Sequence, residues 1–532
     1  MSSLVLKDGL LKHLEDLVFF LEYQEANPFK IRAFQNAIPL LEGLSNANLT
    51  EKIADGSLIE MKGIGKGILA LAKDYLRRQS SEEFETATKD LPLELLELKQ
   101  IRGLSAKKIR TLYEELGIKT LGELEYACQE NRLLKLKGFG TKIQVALLDE
   151  IEKAKERRTK FLLSDAIETA RPIVDKLLKG GAMAAAVGEL GSRLEIVSKI
   201  KILSTEALKS SSPNIQIEIV EPQNFYWEFV RRTSSTEHWN SLTKFLEQSG
   251  IKQPEKIKWA ADSEIYSAAK VAYYPAEARE YSIAPKIKFE AISEKNLTGV
   301  FHLHTSESDG INTLEEMAAA AQSKGWSYMG LSDHSQTSFF YANGLKVARL
   351  EEQWKEVDAL NKKQKTFKIL KGVESDILKD GSLDYPTSVL KKLDFVIGSI
   401  HSRYGMTDMT QRLLAAIENP FTSMIGHISG RLLLARDPYE FDTKRIVDAA
   451  IANKRVIEIN SHPQRLDMDW RILHDACARG LYVSINPDAH SVAGFDDTRF
   501  GVWLANKALI PHEQIINTWP LEKIESFLEK QR

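Results

Sequence analysis

The sequence predicts a multidomain α/β protein, with helical domains at its start and a parallel β-barrel at its end. A chain of 532 residues is long enough for about three or four domains. Short amphipathic helical segments with glycine turns fill 1–160, whereas short apolar runs alternate with helical segments from residue 299 onward. This alternation, with helical spacing at 313–324 and 444–453, is typical of a parallel barrel.

The composition excludes several classes of protein. No apolar run approaches the roughly 20 residues that a membrane span needs, and the first residues carry no secretory signal. Only Cys128 and Cys477 occur, so we expect neither a disulfide scaffold nor a cysteine zinc site. A net charge of -2 means that any nucleic-acid binding must come from local basic patches. We therefore expect a cytoplasmic monomer that binds no membrane.

A glycine-rich turn in 59–70 is the first motif that indicates a binding function. It reads Ile-Glu-Met-Lys-Gly63-Ile-Gly65-Lys66-Gly-Ile-Leu-Ala, which places an apolar residue between two glycines before a helix begins. The free amides of a helix N-terminus, with a lysine beside them, stabilise a phosphate. This is the helix-hairpin-helix pattern, although a Gly-x-Gly turn also joins ordinary packed helices.

The pattern occurs twice more, at 101–109 and 136–143, and the second copy has serine in place of the second glycine. Three such turns, each followed by lysine, favour a sequence-independent clamp on a nucleic-acid backbone. The alternative is a helical scaffold with glycine turns. The residues expected at the phosphates are Gly63, Gly65, Lys66, Gly103, Lys107, Gly138, Gly140 and Lys142.

Polar side chains follow the apolar runs of the C-terminal segment at the points where parallel strands would end. In a parallel barrel these ends meet at one face, so the side chains gather there. Six of the 11 histidines of the chain belong to this series, which packing does not explain. The series predicts a metal site, and its members are His302, His304, Asp333, His334, Glu374, His401, His427, Glu458, Asn460, Asp488 and His490.

The order of the segments resembles a known family. After the hairpins come an amphipathic helix, strand-like alternation at 194–203 and 213–220, and then the segments Thr-Ser-Ser-Thr-Glu-His-Trp-Asn (233–240) and Tyr-Tyr-Pro-Ala-Glu-Ala-Arg-Glu (273–280). Together they resemble a bacterial family X DNA polymerase with a C-terminal PHP (polymerase and histidinol phosphatase) domain. The resemblance covers essentially the whole chain. It implies a helical DNA-end-binding domain at 1–80, a fingers-like helical domain at 81–160, a nucleotidyltransferase-like palm at 161–235, a thumb-like domain at 236–290 and a distorted (βα)7 PHP barrel at 291–532.

The palm departs from the family pattern where the family holds catalytic metals. The family has Gly-Ser-x-Arg-Arg-Gly followed by Asp-x-Asp on a strand, whereas this chain has Gly188-Glu-Leu-Gly-Ser. With the chain aligned on Gly188 and Glu195, Lys199 and Lys201 occupy the positions of the paired aspartates. Gln216 occupies the position of a third aspartate. Ammonium groups would repel the divalent cations that nucleotidyl transfer needs. We therefore expect an inactive palm that either grips a DNA phosphate or serves as a spacer.

The resemblance to PHP domains is more complete and implies a centre of three divalent cations. Glu374 would bridge two of them, and Mn²⁺ is the expected metal, with Zn²⁺ and Fe²⁺ as alternatives. The implied ligands are His302, His304, Glu374 and Asp488 for the first cation, Glu374, His401 and His427 for the second, and Asp309, His334 and His490 for the third.

Other residues are expected to support this centre. Glu374 and Asp488 would contribute to catalysis through the cations, and Arg431 would contact a phosphate. Asp333 and Glu458 are expected to orient ligating imidazoles. Tyr341 and Tyr404 could each stack on an unpaired base, but packing in the core is the favoured interpretation for a lone aromatic residue. His462 lies near the rim, and its role is left open.

The pattern as a whole predicts a DNA repair enzyme that acts on gaps, nicks or 3′ ends. We expect the PHP site to be a metal-dependent 3′–5′ exonuclease, with cleavage at abasic sites as a further activity. Three alternatives remain: a functional family X polymerase with an exonuclease, a non-catalytic DNA-end-binding scaffold, and a small-molecule PHP phosphatase. The palm lysines argue against the first, the full ligand set against the second, and the hairpins against the third.

Overall fold

The computed structural model describes residues 4–129, 133, 136–157, 160–208, 214–284, 289–401, 408–434 and 437–532. The chain divides into two compact units, Met1–Arg158 and Thr159–Arg532. Within the described residues, no helix is long and apolar enough to cross a membrane.

The first unit is helical. Apolar side chains from all its longer helices form one core that extends from Leu10 to Ala154. Pro28 begins the second helix, and Asn27 before it accepts a hydrogen bond from the Phe29 amide, so this Asn-Pro pair separates the first helix from the second. The helices are α1 (Leu4–Tyr23), α2 (Pro28–Glu42), α3 (Asn46–Asp55), α4 (Lys66–Arg78), α5 (Glu82–Thr88), α6 (Leu95–Lys99), α7 (Ala106–Leu116), α8 (Leu121–Gln129) and α9 (Thr141–Arg157).

The second unit begins with a small sheet and five helices. The strands are β1 (Phe161–Leu162), β2 (Ala184–Val187), β3 (Ile196–Val197), β4 (Ile200–Ser204) and β5 (Ile215–Ile219). β4 is the central strand of a three-stranded sheet, with β2 antiparallel and β5 parallel to it, and β1 pairs with β3. The helices are α10 (Leu163–Lys179), α11 (Gly188–Gly191), α12 (Phe225–Thr233), α13 (Thr236–Gln248) and α14 (Asp262–Ala268).

The strand expected at 194–203 is interrupted. A bend at Ser198 and Lys199 separates β3 from β4, and the Ser198 N–H donates to Glu189 Oε2 at 2.6 Å instead of to a neighbouring strand. The alternation of apolar residues is therefore preserved, but it is shared between two strands that pair with different partners.

The rest of the second unit alternates strands and helices, as the sequence predicts. The strands are β6 (Gly299–Val300), β7 (Tyr328–Leu331), β8 (Lys368–Lys371), β9 (Glu374–Asp376), β10 (Ile397–Ser399), β11 (Met424–Ile425), β12 (Val456–Asn460) and β13 (Val483–Asn486). The helices are α15 (Leu314–Ser323), α16 (Phe339–Ala342), α17 (Val347–Lys363), α18 (Thr387–Leu390), α19 (Met409–Glu418), α20 (Thr443–Ala452), α21 (Trp470–Ala478), α22 (Thr498–Lys507) and α23 (Leu521–Lys530).

These strands pair in chain order and are parallel throughout. β6, β7 and β8 form one sheet, and β9 to β13 form another. A parallel bridge between His334 and Glu374 joins the two sheets, and a second bridge between Leu303 and Ala489 joins the first strand to the last. The series of pairings therefore returns to its starting strand, and all the strands end on the same side.

The two parts of the second unit share one hydrophobic core. It includes Leu163 of α10, Ile202 of β4, Ile425 of β11 and Phe500 of α22. Buried Lys507 reinforces this junction, because its Nζ donates to the Ser192 carbonyl at 2.9 Å.

Candidate metal centre and nucleic-acid interface

The three glycine turns of the first unit share one backbone geometry. The first glycine of each has a positive φ, 98° at Gly63, 86° at Gly103 and 89° at Gly138, which glycine adopts without strain. The following residue is a buried apolar side chain, and its N–H donates to the carbonyl three residues earlier. These residues and their N–H···O distances are Ile64 (3.0 Å), Leu104 (3.2 Å) and Phe139 (3.1 Å).

A helix starts directly after each turn. Gly65 and Ser105 are the N-caps of α4 and α7, and Gly140 precedes α9. Ser105 caps its own helix by accepting a hydrogen bond from Lys108 N, whereas no side chain caps α4. The first amides of α4 can therefore meet an anion. The lysines at these helix starts are all exposed: Lys66, Lys107 and Lys142.

The residues expected at the catalytic positions of the palm include two direct neighbours. Lys201 on β4 pairs with Gln216 on β5, and both are partly exposed. Lys199 is exposed in the bend before β4. Gly188 has a φ of 62°, and a Cβ there would lie 3.4 Å from Lys201 Cδ. Within the described residues, β4 itself carries no carboxylate.

The nearest carboxylate on the neighbouring strand is already paired. Glu218 on β5 forms an ion pair with Arg232 of α12, and Arg232 also lies 3.1 Å from Glu228. Because Glu218 is paired with Arg232, it does not neutralise the ammonium group of Lys201 on β4.

All nine expected metal ligands gather where the parallel strands end. Parallel pairing brings strand ends from distant parts of the chain to one edge, so the ligands come together although 188 positions separate the first from the last. His302 and His304 follow β6, Asp309 lies in the next loop, His334 follows β7, Glu374 begins β9, His401 follows β10, His427 follows β11, and Asp488 and His490 follow β13.

Glu374 is the central carboxylate of the cluster. It is about 1% exposed, and both of its oxygens face imidazole nitrogens. A carboxylate in this position can bridge two cations. Its oxygens lie close to His427 Nε2 (2.9 Å), His334 Nδ1 (3.0 Å), His401 Nε2 (3.2 Å), His302 Nε2 (3.3 Å) and His304 Nε2 (3.5 Å).

Two aspartates occupy the remaining sides of the cluster. Asp488 is buried, whereas the side chain of Asp309 is 30% exposed and lies toward the opening. Each aspartate faces two imidazoles through one oxygen. The oxygen–nitrogen distances are 3.3 Å from Asp488 Oδ1 to Nε2 of both His302 and His304, and 3.3 Å from Asp309 Oδ2 to Nε2 of both His334 and His490.

The nine side chains form four overlapping groups, within each of which one ligand atom per residue lies within 4.8 Å of the others. Glu374 belongs to two groups, one with His401 and one with His427. This overlap is the geometry expected of a bridging ligand. The groups are His304, Asp309, His334 and His490; His302, His304 and Asp488; His302, Glu374 and His427; and His334, Glu374 and His401.

The unsatisfied polar atoms of the cluster fit divalent cations. His302 Nε2, His304 Nε2 and Glu374 Oε2 are buried and have no hydrogen-bond partner among the described residues. Buried polar atoms without partners cost free energy, and metal coordination removes that cost. Imidazole and carboxylate donors suit Mn²⁺, Zn²⁺ and Fe²⁺. The residues present therefore fit a centre of divalent cations.

The electrostatics of the cluster lead to the same conclusion. Burial raises the pKa of Glu374, but the neighbouring imidazoles outweigh it and hold that pKa well below its ordinary value. Burial lowers the pKa of His302, but the carboxylates of Glu458, Asp488 and Glu374 outweigh it and hold that pKa well above its ordinary value. The site thus concentrates negative charge that attracts protons or metal cations.

Glu458 is not one of the nine expected ligands, but it positions several of them. Its Oε1 lies 2.6 Å from His302 Nδ1, as expected for a residue that orients a ligating imidazole. Its Oε2 accepts the His427 N–H at 2.6 Å and Asn460 Nδ2–H at 3.1 Å. Asn460 Nδ2 also donates to Asp488 at 3.0 Å. One buried carboxylate therefore helps to position three of the nine residues.

Asp333 has a different role from the one expected, and its assignment as an imidazole-orienting residue is wrong. Its two oxygens accept hydrogen bonds from Thr305 N (2.7 Å), Ser308 Oγ (2.5 Å) and Gln353 Nε2 (2.6 Å). It therefore holds the turn that carries Asp309, and it does so through backbone and hydroxyl groups instead of through an imidazole.

The residue that orients His401 is Asp376, which the sequence analysis does not identify. Asp376 Oδ1 lies 2.7 Å from His401 Nδ1, and its Oδ2 accepts Ser338 Oγ–H at 2.7 Å. A usable signal is present in the sequence, because Asp376 follows Glu374 by two residues and therefore lies on the same face of a strand.

Two of the described arginines near the centre, Arg431 and Arg465, have different environments. Arg431 donates through Nε to the Arg465 carbonyl at 2.8 Å, through Nη2 to the Leu466 carbonyl, and through Nη1 to Asp469 at 3.4 Å. These contacts favour a role in holding the 465–469 segment. Among the described residues, Arg465 reaches the cluster, with Nε 3.3 Å from Asp488 Oδ2.

Of Tyr341, Tyr404 and His462, His462 is the one whose side chain belongs to the described residues. His462 Nδ1 accepts the Gln464 N–H at 3.3 Å, and burial lowers its pKa. Tyr404 and the side chain of Tyr341 lie outside the described residues.

Comparisons with known proteins agree with this arrangement. Residues 301–462 match the family model of the PHP domain. The DNA polymerase/3′-5′ exonuclease PolX of Bacillus subtilis (strain 168) is 30% identical to this chain, over 98% of this chain and 99% of its own length. A probable phosphatase of Caldicellulosiruptor saccharolyticus is 32% identical over 43% of this chain and 93% of its own length, and one of Caldicellulosiruptor bescii is 31% identical over 43% and 94%.

The strand order, the site and the matched model define a multidomain protein with a C-terminal PHP domain. The similarity over nearly the whole length goes further. The chain belongs to the bacterial PolX family, the family X DNA polymerases that carry a PHP domain.

Proposed function

We propose that this protein shortens DNA from its 3′ end by metal-dependent hydrolysis at the PHP centre, in the repair of gaps, nicks or broken ends. Cleavage at abasic sites is proposed as a second activity of the same centre. The main support for the proposal is that nine side chains of metal-ligand type come together, with Glu374 in two of their groups. Several of their buried donor atoms have no hydrogen-bond partner among the described residues. The B. subtilis relative, whose name includes a 3′-5′ exonuclease, supports DNA as the substrate.

The nine residues would hold three divalent cations, with Mn²⁺ as the first choice and Zn²⁺ or Fe²⁺ as alternatives. Bound cations supply a water of lowered pKa and a clamp on the phosphodiester oxygens. Glu374 and Asp488 are the proposed catalytic carboxylates, because each faces imidazoles from several strand ends. Arg465 offers its guanidinium to the phosphate, and Arg431 holds the segment that presents it.

The hairpins of the first unit are proposed to bind the DNA backbone. Their repeated geometry leaves exposed glycines, a buried apolar anchor and an exposed lysine at the start of each following helix. Such a surface contacts phosphates and is indifferent to base sequence. We keep the domain boundaries expected from the sequence: helical DNA-binding domains at 1–80 and 81–160, a palm at 161–235, a thumb at 236–290 and the PHP barrel at 291–532.

The palm is proposed to be silent in nucleotidyl transfer. Lys201 and Gln216, which are direct neighbours on β4 and β5, would give a metal neither of the carboxylates it needs there. Lys199 adds a second ammonium group before the same strand. The remaining role is a grip on a DNA phosphate or a support for the PHP domain.

The decisive experiment for this proposal measures the length of a labelled primer on a template with Mn²⁺, in the wild-type protein and in a His304→Ala, Glu374→Ala variant. We expect the wild type to shorten the primer and the variant to leave it intact. Hydrolysis of histidinol phosphate with no action on DNA would instead identify a small-molecule phosphatase. Binding of DNA ends without any turnover would identify a scaffold.

A functional polymerase is the second candidate, because the name of the B. subtilis relative also includes DNA polymerase. The His304→Ala, Glu374→Ala variant tests it most clearly, because shortening can no longer hide extension. With a primer–template and all four deoxynucleotides, we expect no extension by this variant. Extension would show that the palm is active despite its lysines.

A further inference from the structure

The loop between β7 and α17 is tied to the metal centre at several points. Its ends are joined by a parallel bridge between Ser335 and Leu345, and the Leu345 N–H donates to the His334 carbonyl at 2.8 Å. In its middle, Ser338 Oγ donates to Asp376 Oδ2 at 2.7 Å, and Asp376 in turn lies 2.7 Å from a nitrogen of His401. This loop is therefore fixed to two candidate ligands.

The same loop is anchored to the segment that carries Asp309. Asn343 Nδ2 donates to the Glu307 carbonyl at 3.0 Å. Both anchors belong to segments that supply metal ligands. Phe339 directly follows Ser338, and Lys346 directly follows Leu345, so both residues adjoin positions that are bonded to those segments.

The loop exposes an aromatic ring beside a cation. Phe339 is 43% exposed, and Lys346 Nζ lies 5.0 Å from the centroid of its ring. Lys346 is itself exposed and is the N-cap of the 17-residue helix α17, for which no described side chain provides a capping hydrogen bond. A lysine at an uncapped helix N-terminus is a favourable place for a phosphate. An aromatic ring next to it offers a surface on which a base can stack.

We propose that Phe339 stacks on the base of the 3′-terminal nucleotide, while Lys346 and the N-terminus of α17 bind a phosphate next to it. This inference rests on the proposed function and adds the residues that would recognise the terminal nucleotide of the substrate.

A stacking role and a packing role for Phe339 depend on different properties of its side chain. A packing residue is replaced by any apolar side chain of similar volume, whereas a stacking platform needs an aromatic face. Phe339→Leu and Phe339→Trp separate these two roles. A substrate whose terminal nucleotide lacks a base also distinguishes the two roles, because such a nucleotide cannot stack on the ring.

The test uses the full-length protein loaded with Mn²⁺ and a single-stranded oligonucleotide that has 2-aminopurine at its 3′ end and a phosphorothioate last linkage. We expect the wild type and Phe339→Trp to quench the fluorophore. Phe339→Ala and Phe339→Leu are expected to bind the end about tenfold more weakly. Lys346→Gln is expected to lower the salt dependence of binding by about one phosphate contact, and Lys362→Gln, at the other end of α17, is the matched control.

Two outcomes overturn the proposal. One is full quenching by Phe339→Leu, and the other is an equal effect of Phe339→Ala on an oligonucleotide whose terminal nucleotide is abasic. Metal content is measured in every variant and is expected to match the wild type. A wild type that quenches the fluorophore but never shortens DNA would refute the proposed hydrolysis and leave the stacking platform standing, so the two failures are distinguishable.

Discussion

At the scale of single residues, Glu458 supports several parts of the metal centre at once. It contacts His302 and the His427 backbone directly, and it reaches Asp488 through Asn460. Removing such a supporting carboxylate typically lowers metal affinity by about 10- to 100-fold. We expect Glu458→Gln to lose bound Mn²⁺ during dialysis against a weak chelator, as measured by mass spectrometry of the metal.

Exposed Glu440 provides the control, since Glu440→Gln changes the same chemical group away from the cluster. Retention of metal by Glu458→Gln at the wild-type level would contradict the role assigned to Glu458.

A second prediction at this scale concerns a buried histidine outside the metal centre. His238 is fully buried, with Nδ1 2.8 Å from the Tyr281 carbonyl and Nε2 2.9 Å from Tyr266 Oη. Burial lowers its pKa from 6.5 to about 4, the Tyr281 carbonyl opposes this shift, and the charge of Arg279 adds to it. Tyr274 also packs against the ring.

Because the pKa of His238 is lower in the folded protein than in the unfolded chain, its contribution to stability is complete above about pH 6.5 and is lost as the pH falls toward 4. Between pH 7.5 and 5.5 the loss is about 1.4 kcal/mol. We expect denaturant unfolding of His238→Gln to show a pH dependence weaker by about this amount. Exposed His512→Gln is the control, and an unchanged pH dependence in His238→Gln would contradict the prediction.

Individual residues also show what the sequence can and cannot reveal. The nine metal-ligand positions could be named in advance because His and Asp at strand ends form a pattern and because the family resemblance supplies the rest. The supporting contacts could not be named as well. Asp333 and Asp376 both lie beside ligands in the sequence, but which one meets an imidazole depends on the loop packed against it.

At the scale of elements, the three hairpins allow a matched comparison. Gly63 has a φ of 98°, which is strained for any other residue, whereas Gly65 is extended, and a Cβ there meets no atom within 4 Å. Serine occupies the second position in the copy at Ser105 and caps its helix. We expect Gly65→Ser to fold normally and Gly63→Ser to destabilise the first unit by about 1–2 kcal/mol, measured by thermal unfolding.

DNA binding provides a second test of Gly65→Ser. Gly65→Ser places a side chain where the phosphate is proposed to approach, so we expect weaker DNA binding without a loss of stability. Gly65→Ser with wild-type affinity for DNA ends would count against a backbone clamp at this turn.

The sequence predicts the helices of the second unit more accurately than the strand at 194–203. The helices expected at 313–324 and 444–453 are present as α15 and α20, because capping residues at Thr313 and Asp442 fix where they start. The strand at 194–203 is divided because the Ser198 amide bonds to Glu189, a contact between side chain and backbone that periodicity does not contain.

At the scale of the whole molecule, the junction inside the second unit links the small sheet to the PHP domain. Lys507 of α22 is 1% exposed, donates to the Ser192 carbonyl and forms an ion pair with Glu280. Breaking a buried pair by removing one partner costs about 3–5 kcal/mol. We expect Lys507→Met to lower the unfolding midpoint of the second unit clearly, whereas Lys530→Met, at an exposed position, leaves it unchanged.

The shared core extends this prediction to fragments. The fragment 291–532 would expose apolar residues that pack against Leu163 and Ile202, so we expect it to be less stable than the fragment 160–532. Equal unfolding midpoints for the two fragments would show that the small sheet contributes nothing to the PHP domain. The sequence alone suggests two separate domains here, because the side chains that meet across the junction lie far apart in the chain.

The central claim is that the PHP centre removes nucleotides while the palm adds none. The most direct measurement is the rate of primer shortening by the wild-type protein with Mn²⁺, with and without all four deoxynucleotides. We expect the same rate of shortening in both reactions and no product longer than the primer. Longer products, or a rate that falls when deoxynucleotides are added, would contradict it.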